Sequence, residues 1–315
     1  MSFSGITKEE LARLSEVKSC CDLAELAALV RMDGTLEIYA DQRFVLNVTT
    51  ESAPVARKIF RLAKNILELQ VDVAVRRKMR LRKNNSYLIK IYPLTAADLQ
   101  RLGLLNKQQK IKHGIAQELI RHRCDQKAYL RGAFLAGGSI NNPEGAYHLE
   151  IISSDPQHAA ALCQLLNKFQ LRAKVSQRKN WYVVYIKESE HIVLFLALIG
   201  AHHALLEFEN VRVFKDVRNQ VNRLVNCETA NLNKTVVASV RQIDNINLIA
   251  GTIGLTALPP ALRDMAELRM ESPDASLKEL GEMLTPKVGK SGVNHRLRKI
   301  DELAEKIRTQ KKDQG

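Results

Sequence analysis

Seven residues in one short stretch have side chains that hydrogen-bond nucleic acid: Lys290, Ser291, Asn294, His295, Arg296, Arg298 and Lys299. Arg reads guanine and Asn reads adenine in the major groove, while Lys and Ser reach phosphate oxygens, so the set suits recognition of duplex DNA. No other chemistry has a comparable constellation. The eight His residues show neither HExxH nor paired ligand spacing, and His202-His203 reads as the end of an apolar helix rather than a metal site. Cys20, Cys21, Cys124, Cys163 and Cys227 include no CxxC, and read as scattered small hydrophobes in a reducing compartment. Neither zinc nor a disulfide framework is indicated. VGKSG, Val288 to Gly292, imitates the end of a Gly-rich nucleotide loop. Leu284 stands where the first Gly of that loop belongs, and a helix rather than a strand precedes it, so no ATP site is expected. The expectation is no metal and no cofactor.

The elements that present these residues follow from periodicity. Val293, Leu297 and Ile300 recur at four and three residues and predict a helix with Ser291 as its N-cap. Before it lie a turn, Leu284 to Lys290, and a shorter helix, Ala275 to Met283, with an apolar stripe of Leu277, Leu280 and Met283. Helix, turn and basic second helix make a helix-turn-helix within Ala275 to Arg308. Leu262 to Arg269 predicts a further helix, set off by Gly251, Gly254 and Pro259-Pro260. Upstream, Glu207 to Leu224 and Val236 to Leu248 read as helical, with NCETANLNKTV (Asn226 to Val236) as an interruption or restart between them.

The whole chain shares the cationic character of that helix. Its 315 residues carry 48 Lys and Arg against 34 Asp and Glu, a formal charge of +14, which calls for an anionic partner. With 45% hydrophobic and 26% charged residues the composition is that of folded domains, so the charge does not signal disorder. The longest apolar run, Ile192 to Ile199, falls far short of the roughly 20 residues a spanning helix needs, and MSFSGITKEE lacks a secretory apolar stretch. A cytoplasmic protein without membrane association is expected.

The first two-thirds of the chain repeats itself. LAALVRMDG, Leu26 to Gly34, and LRGAFLAGG, Leu130 to Gly138, each follow a carboxylate suited to cap a helix, Asp22 and Asp125. After the first come two short strands within Thr35 to Val48, a helix from Ser52 to Leu69, and strands at Val71 to Leu81 and Tyr87 to Tyr92. After the second come strands around an Asn-Asn-Pro-Glu-Gly turn, a helix from Pro156 to Phe169, strands at Leu171 to Ser176 and Trp181 to Ile186, and a helix from His191. Both halves read αββαββα, which predicts a duplication packed about a pseudo-twofold axis. Ala27, Ala28, Gly132, Ala133 and Ala136 would let the two helices approach closely, and a continuous sheet saddle would follow.

One strand in each half alternates between apolar and basic residues. Val71, Val73, Val75, Met79 and Leu81 point inward while Arg76, Lys78, Arg80 and Arg82 point out. In the second half Leu171, Ala173 and Val175 point inward and Arg172, Lys174 and Arg178 point out. Two same-sign strips on one saddle would track a duplex backbone.

The nine-residue segments resemble the LAGLIDADG motif of homing endonucleases, whose paired helices sit above a DNA-gripping saddle. By position, the metal-binding acid of that motif falls on Asp33 in the first repeat and on Gly137 in the second. Phosphodiester hydrolysis with such a pair needs both carboxylates to hold the cations. Glu37 and Glu150 are the acids that would have to substitute, and no compensating acid appears at the second motif. Asp33 then reads as a vestigial motif acid at an ordinary Asp-Gly helix exit.

The combination of this pair with a helix-turn-helix resembles the WhiA family, most tellingly in YLRGAFLAGGSI (Tyr129 to Ile140), NCETANLNKTV, and ASLKELGEMLTPKVGKSGVNHRLRKI (Ala275 to Ile300). The resemblance covers nearly the whole chain. It implies an α+β fold: a pseudo-twofold duplicated αββαββα saddle followed by an all-α helix-turn-helix domain. The expected division is a degenerate first repeat at 1–100, a linker at 101–125, a second repeat at 126–205, a helical connector at 206–260 and the DNA-binding domain at 261–315. The family further implies a non-catalytic, nucleoid-associated DNA-binding protein acting in cell division, chromosome segregation and sporulation-linked transcription. The alternatives are a metal-dependent endonuclease, or a scaffold whose saddle binds a protein or small ligand.

Overall fold

The computed structural model describes residues 2–15, 18–38, 43–77 and 85–313, and the chain divides into two compact units, Met1–Asp216 and Val217–Gly315.

The first unit opens with α1 (Phe3–Arg13), capped by the Ser2 hydroxyl, which accepts from the Gly5 amide. The first repeat follows as α2 (Ser19–Asp33), β1 (Gly34–Ile38), β2 (Phe44–Thr50), α3 (Ala53–Leu67), β3 (Gln70–Arg77), β4 (Asn85–Leu94) and α4 (Ala96–Arg101). The second is α5 (Arg123–Gly137), β5 (Gly138–Ile140), β6 (Leu149–Ser153), α6 (Pro156–Lys168), β7 (Lys174–Arg178), β8 (Trp181–Ile186) and α7 (Ser189–Ile199). Each repeat has the αββαββα order expected of a duplication, and each forms an antiparallel four-stranded sheet of matching order, β1-β2-β4-β3 and β5-β6-β8-β7. Among the described residues these are two sheets, not the single continuous sheet anticipated.

Local chemistry sets the helix ends. Ser52 and Asp155 cap α3 and α6, and a Pro in the first turn of each supplies a fixed φ where no amide bond is lost. Asp22 and Asp125, anticipated as caps, lie inside the first turns of α2 and α5 instead. Asp125 still serves the end of its helix, because its carboxylate accepts from the His122 amide at 3.2 Å. Glu10 of α1 caps α8 (His202–Thr252) by accepting from the amides of His203 and Ala204 at 2.8 and 3.0 Å.

The small residues do let α2 and α5 meet. A Cβ on Gly132 would stand 2.4 Å from the Glu25 carbonyl oxygen and 2.9 Å from the Ala28 Cβ, so only glycine permits this crossing. Because α2 is enclosed, even its charged Glu25 is buried, and it is neutralised by Lys58 Nζ at 2.7 Å and by Arg131. Tyr129, His158 and Ser153 form a second buried polar chain, O–N contacts of 2.9 and 3.1 Å, which joins α5 to α6 and β6.

The second unit is helical. α8 begins in the first unit and ends here, and it is unbroken through Asn226 to Val236, where an interruption was anticipated. After it come α9 (Pro260–Glu271), α10 (Leu277–Met283) and α11 (Lys290–Asp313). Their core unites Ile246 and Ile249 of α8, Met265 of α9, Leu280 of α10, and Val293, Leu297 and Ile300 of α11. Residues from the stretch read as a connector, 206–260, are thus part of this core.

Candidate nucleic-acid interface

In the second unit the Ser276 hydroxyl accepts from the Glu279 amide at 3.3 Å, and the Glu279 carboxylate accepts from the Ser276 amide at 2.8 Å, a reciprocal cap that fixes the start of α10. The turn then folds back on α10. A Cβ on Gly281 would lie 2.0 Å from the Val288 carbonyl oxygen, and that residue's amide donates to the Gly281 carbonyl at 2.9 Å. A residue larger than glycine at 281 would push the turn, and with it α11, away. Arg269, buried at the end of α9, donates to Gln242 Oε1 at 3.0 Å and to the Ala275 carbonyl at 2.7 Å, tying the loop before α10 to α8.

On α11, Val293, Leu297, Ile300 and Ala304 are buried, so the opposite stripe must face outward. Ser291, His295 and Arg298 lie on it, flanked by Asn294 on one side and Lys299 on the other, and all five are exposed with Lys290. Two details differ from expectation. Ser291 is not the N-cap: α11 starts at Lys290, and the Gly289 carbonyl accepts from the Val293 amide at 3.1 Å. Arg296 is half-buried beside α9, its Nη1 3.5 Å from the Ala261 carbonyl. Lys290 and Asn294 also border a cleft of about 430 Å³ with Lys234 and Arg241 of α8 and Lys278 of α10. Among the described residues no acid lines it, although Arg241 pairs with Asp301 at 3.1 Å and Lys278 with Glu282 at 3.9 Å. Sequence reading missed Lys234 and Lys278, because the cations of this cleft come from three separate helices.

In the first unit the strand faces are less uniform than the alternation implied. Val73 and Val75 are 46% and 54% exposed; they border an open cleft where α3 offers them chiefly Ala53, Ala56 and Phe60. The reverse face of β3 carries Asp72 and Ala74 ahead of Arg76, so of the described residues on this face of β3 only Arg76 is a cation, and Asp72 accepts from the Tyr92 hydroxyl at 2.5 Å. Lys90 joins Arg76 on that face from β4. Lys78, Arg80 and Arg82, with Met79 and Leu81, lie outside the described residues.

In the second repeat β7 begins only at Lys174, because Arg172 takes a left-handed φ of 46° and breaks the alternation. Leu171 and Ala173 are buried as expected, whereas Val175 is 42% exposed. Arg172 sits 3.5 Å from Glu188 and Arg178 sits 3.4 Å from Glu150, while Lys174 is exposed. The Tyr185 ring, opposite Lys174, stacks on His148 and carries the Lys187 ammonium 5.3 Å from its centre. Neither Lys187 nor Tyr185 had a signal in the strand alternation.

The two motif positions, Asp33 and Gly137, are decisive for chemistry. Asp33 ends α2, and burial, partly opposed by the charge of Lys8, pushes its carboxyl up to about 6. The Lys8 ammonium itself donates to the Ala136 carbonyl at 3.3 Å, at the end of α5. A Cβ on Gly137 would lie 2.5 Å from Met32 Cε and 2.6 Å from the Ile152 carbonyl oxygen, so the second position has no room for an acid. Glu150 does not substitute, being engaged by His148 at 3.1 Å and by Arg178. Glu37 is exposed on β1. Among the described residues the two motif positions do not assemble the paired carboxylates that a two-metal nuclease requires.

Comparison with known proteins agrees with this anatomy. Residues 19–105 match the WhiA N-terminal LAGLIDADG-like domain, 126–218 the WhiA LAGLIDADG-like domain, and 221–304 the WhiA C-terminal HTH domain. A probable cell division protein WhiA from Desulfitobacterium hafniense (strain DSM 10664 / DCB-2) is 73% identical over 312 residues, which cover 99% of this chain and 98% of that protein. The protein of the same description from Bacillus subtilis (strain 168) is 52% identical over 311 residues, covering 98% of each. The crystal structure of full-length DUF199/WhiA from Thermatoga maritima aligns with a TM-score of 0.61 at 27% identity, covering 97% of this chain and 99% of that one. No helix among the described residues is long and apolar enough to cross a membrane. The α+β pair of LAGLIDADG-like repeats and the helix-turn-helix therefore belong to one established lineage, and the chain is a member of the WhiA family.

Proposed function

We propose that this chain binds double-stranded DNA without cleaving it, reading sequence with α11. The exposed Ser291, Asn294, His295 and Arg298 on a helix locked from behind by Val293, Leu297 and Ile300 carry this reading. Lys290, Lys299 and the cleft cations Lys234 and Lys278 contact the flanking phosphates. Arg296 braces α11 against α9 as well as adding charge. The strand faces bearing Arg76 and Lys174 supply further backbone contact, and Arg178, already facing Glu150, adds less. Lys78, Arg80 and Arg82 are candidates on their sequence positions alone, whereas Arg172, facing Glu188, contributes little.

The name shared by the relatives supports a role in cell division. DNA binding at the nucleoid would connect that role with chromosome segregation and with sporulation-linked transcription. The absence of room at Gly137 favours holding DNA over hydrolysing it.

Fluorescence anisotropy with fragments selected from genomic DNA tests the proposal. Asn294→Ala and Arg298→Ala should each weaken binding to selected sites by about 1–3 kcal/mol while affecting random duplex little. Equal losses on selected and random DNA would remove α11 as the reading element. Plasmid incubated with Mg²⁺ or Mn²⁺ should stay intact; cleavage abolished by Asp33→Ala would make the protein a nuclease.

A further inference from the structure

The start of the α2–α5 pair gathers side chains that the sequence scatters over a hundred residues. The sulfurs of Cys20, Cys21 and Cys124 and a carboxylate oxygen of Asp125 all lie within 4.8 Å of one another. The repeat relates them in pairs: an offset of 104 residues, the separation of Cys21 and Asp125, also superimposes Cys20 on Cys124. Each repeat thus contributes two groups to the cluster, at the end of the helix pair opposite Asp33 and Gly137.

We propose that this cluster is a binding site for a thiophilic divalent cation of the zinc class, with Cys20, Cys21, Cys124 and Asp125 as its four ligands. A tetrahedron of Zn–S bonds near 2.3 Å has edges of roughly 3.8 Å, so the ligand atoms need contract by only about 1 Å. Asp125 is already oriented for the task. Its Oδ2 is held by His122 Nδ1 at 2.9 Å and by the His122 amide at 3.2 Å, and its Oδ1 is turned toward Cys124 Sγ at 3.5 Å and Cys21 Sγ at 3.8 Å. One oxygen is anchored and the other is directed at the thiols, the arrangement in which an outer hydrogen bond fixes a monodentate carboxylate. Three thiolates and a carboxylate select a soft metal over Mg²⁺ or Ca²⁺. Their excess negative charge faces the amino-terminal ends of α2 and α5, where the helix dipoles stabilise anions. Cys20 is exposed, which gives the ion a path in, while Cys21 is buried.

Cobalt(II) titrated into the reduced, chelator-treated full chain under argon tests the assignment. One equivalent should produce thiolate-to-cobalt charge transfer in the near ultraviolet together with the visible bands of a tetrahedral ion, and one equivalent of Zn²⁺ should bleach both. Cys20→Ser and Cys124→Ser should each remove roughly one-third of the charge-transfer intensity, as one thiolate of three is lost. Cys163→Ser and Cys227→Ser, outside the cluster, should leave it unchanged. Circular dichroism of each variant separates ligand loss from unfolding. The proposal is overturned if the reduced wild-type chain shows no charge-transfer band, or if the band survives intact in a folded Cys20→Ser, Cys124→Ser double variant.

Discussion

Arg131 on α5 sets its Nε and Nη2 against the two carboxylate oxygens of Glu25 on α2, at 3.0 and 2.9 Å, with both side chains buried. Glu25 also receives Lys58 Nζ of α3, so one acid serves two buried cations. Each cation finds further acceptors at a helix end: Lys58 on the carbonyls of Leu11 and Leu14 at the end of α1, and Arg131 on that of Ile199 at the end of α7. Burial lowers the Lys58 ammonium below its ordinary range while the charge of Glu25 works against that shift. The cluster thereby joins α1, α2, α3, α5 and α7 at the centre of the first unit. Glu25→Ala would leave two buried cations without their counterion and should cost about 3–5 kcal/mol in urea unfolding of the first unit. A loss below 1 kcal/mol would place the stability of this crossing elsewhere.

The same crossing depends on Gly132. A methyl group there would lie 2.4 Å from the Glu25 carbonyl oxygen, a backbone atom that cannot rotate away. Gly132→Ala should destabilise the first unit by about 1–3 kcal/mol, despite the better helix propensity of Ala. A neutral or stabilising effect would mean that α2 and α5 separate without penalty.

How legible this was depends on whether the interaction is local in sequence. The order of elements in the two repeats and the buried stripe of α11 follow from residues a few positions apart, and the structure has both. Gly132 was readable as a small residue for close approach, yet its partner Glu25 was not, since an acid in a helix ordinarily faces water. Arg178 shows the reverse failure. Strand alternation placed it on an outer face, but its neutralisation by Glu150 depends on β7 and β6 lying on either side of β8. The cysteines failed for the same reason, because no spacing motif links positions 20 and 124 until two helix starts are brought together. The unbroken α8 was missed because Thr, Asn and Cys in NCETANLNKTV have weak helix propensity, which the neighbouring turns override.

His158 gives the first unit an acid sensitivity. Burial, reinforced by the charge of Arg31, drops its imidazole from 6.5 to about 4, and its two nitrogens contact Tyr129 and Ser153. The unfolded chain takes up this proton near pH 6.5 and the folded chain only near pH 4. Stability is therefore fully present above pH 6.5 and is lost as the pH falls toward 4, by on the order of 3 kcal/mol. Asp33, raised to about 6, acts in the opposite direction over part of the same range. The contribution of His158 is isolated by comparing urea unfolding of wild type and His158→Gln from pH 7 to pH 4.5: the variant should lose the acid-side decline. Identical slopes would show that His158 protonates without opening the fold.

Restoring the second motif acid should fail. Gly137→Asp would place its Cβ 2.6 Å from the Ile152 carbonyl oxygen, before any oxygen of the new carboxylate is accommodated. The expected outcome is destabilisation by about 1–3 kcal/mol and no Mg²⁺-dependent cleavage of plasmid. A folded Gly137→Asp chain that nicks DNA would show instead that a single missing carboxylate separates this scaffold from a nuclease.

The two basic residues at either side of the β7 boundary make the sharpest test of the strand face. Lys174 is exposed and opposite Tyr185, whereas Arg172 stands 3.5 Å from the Glu188 carboxylate, which already balances part of its charge. Counterion release counts only cations that replace condensed ions on phosphate, at a log–log slope of about 0.9 per contact. Lys174→Gln should therefore reduce the salt dependence of DNA binding by close to that amount. Arg172→Gln should change it little, because Glu188 competes with phosphate for the guanidinium and Arg172 is off the strand alternation. The contrast is read by anisotropy titrations at several salt concentrations on one duplex. Equal slopes for wild type and Lys174→Gln would take this sheet out of the DNA contact, leaving α11 and its flanking cleft to account for binding.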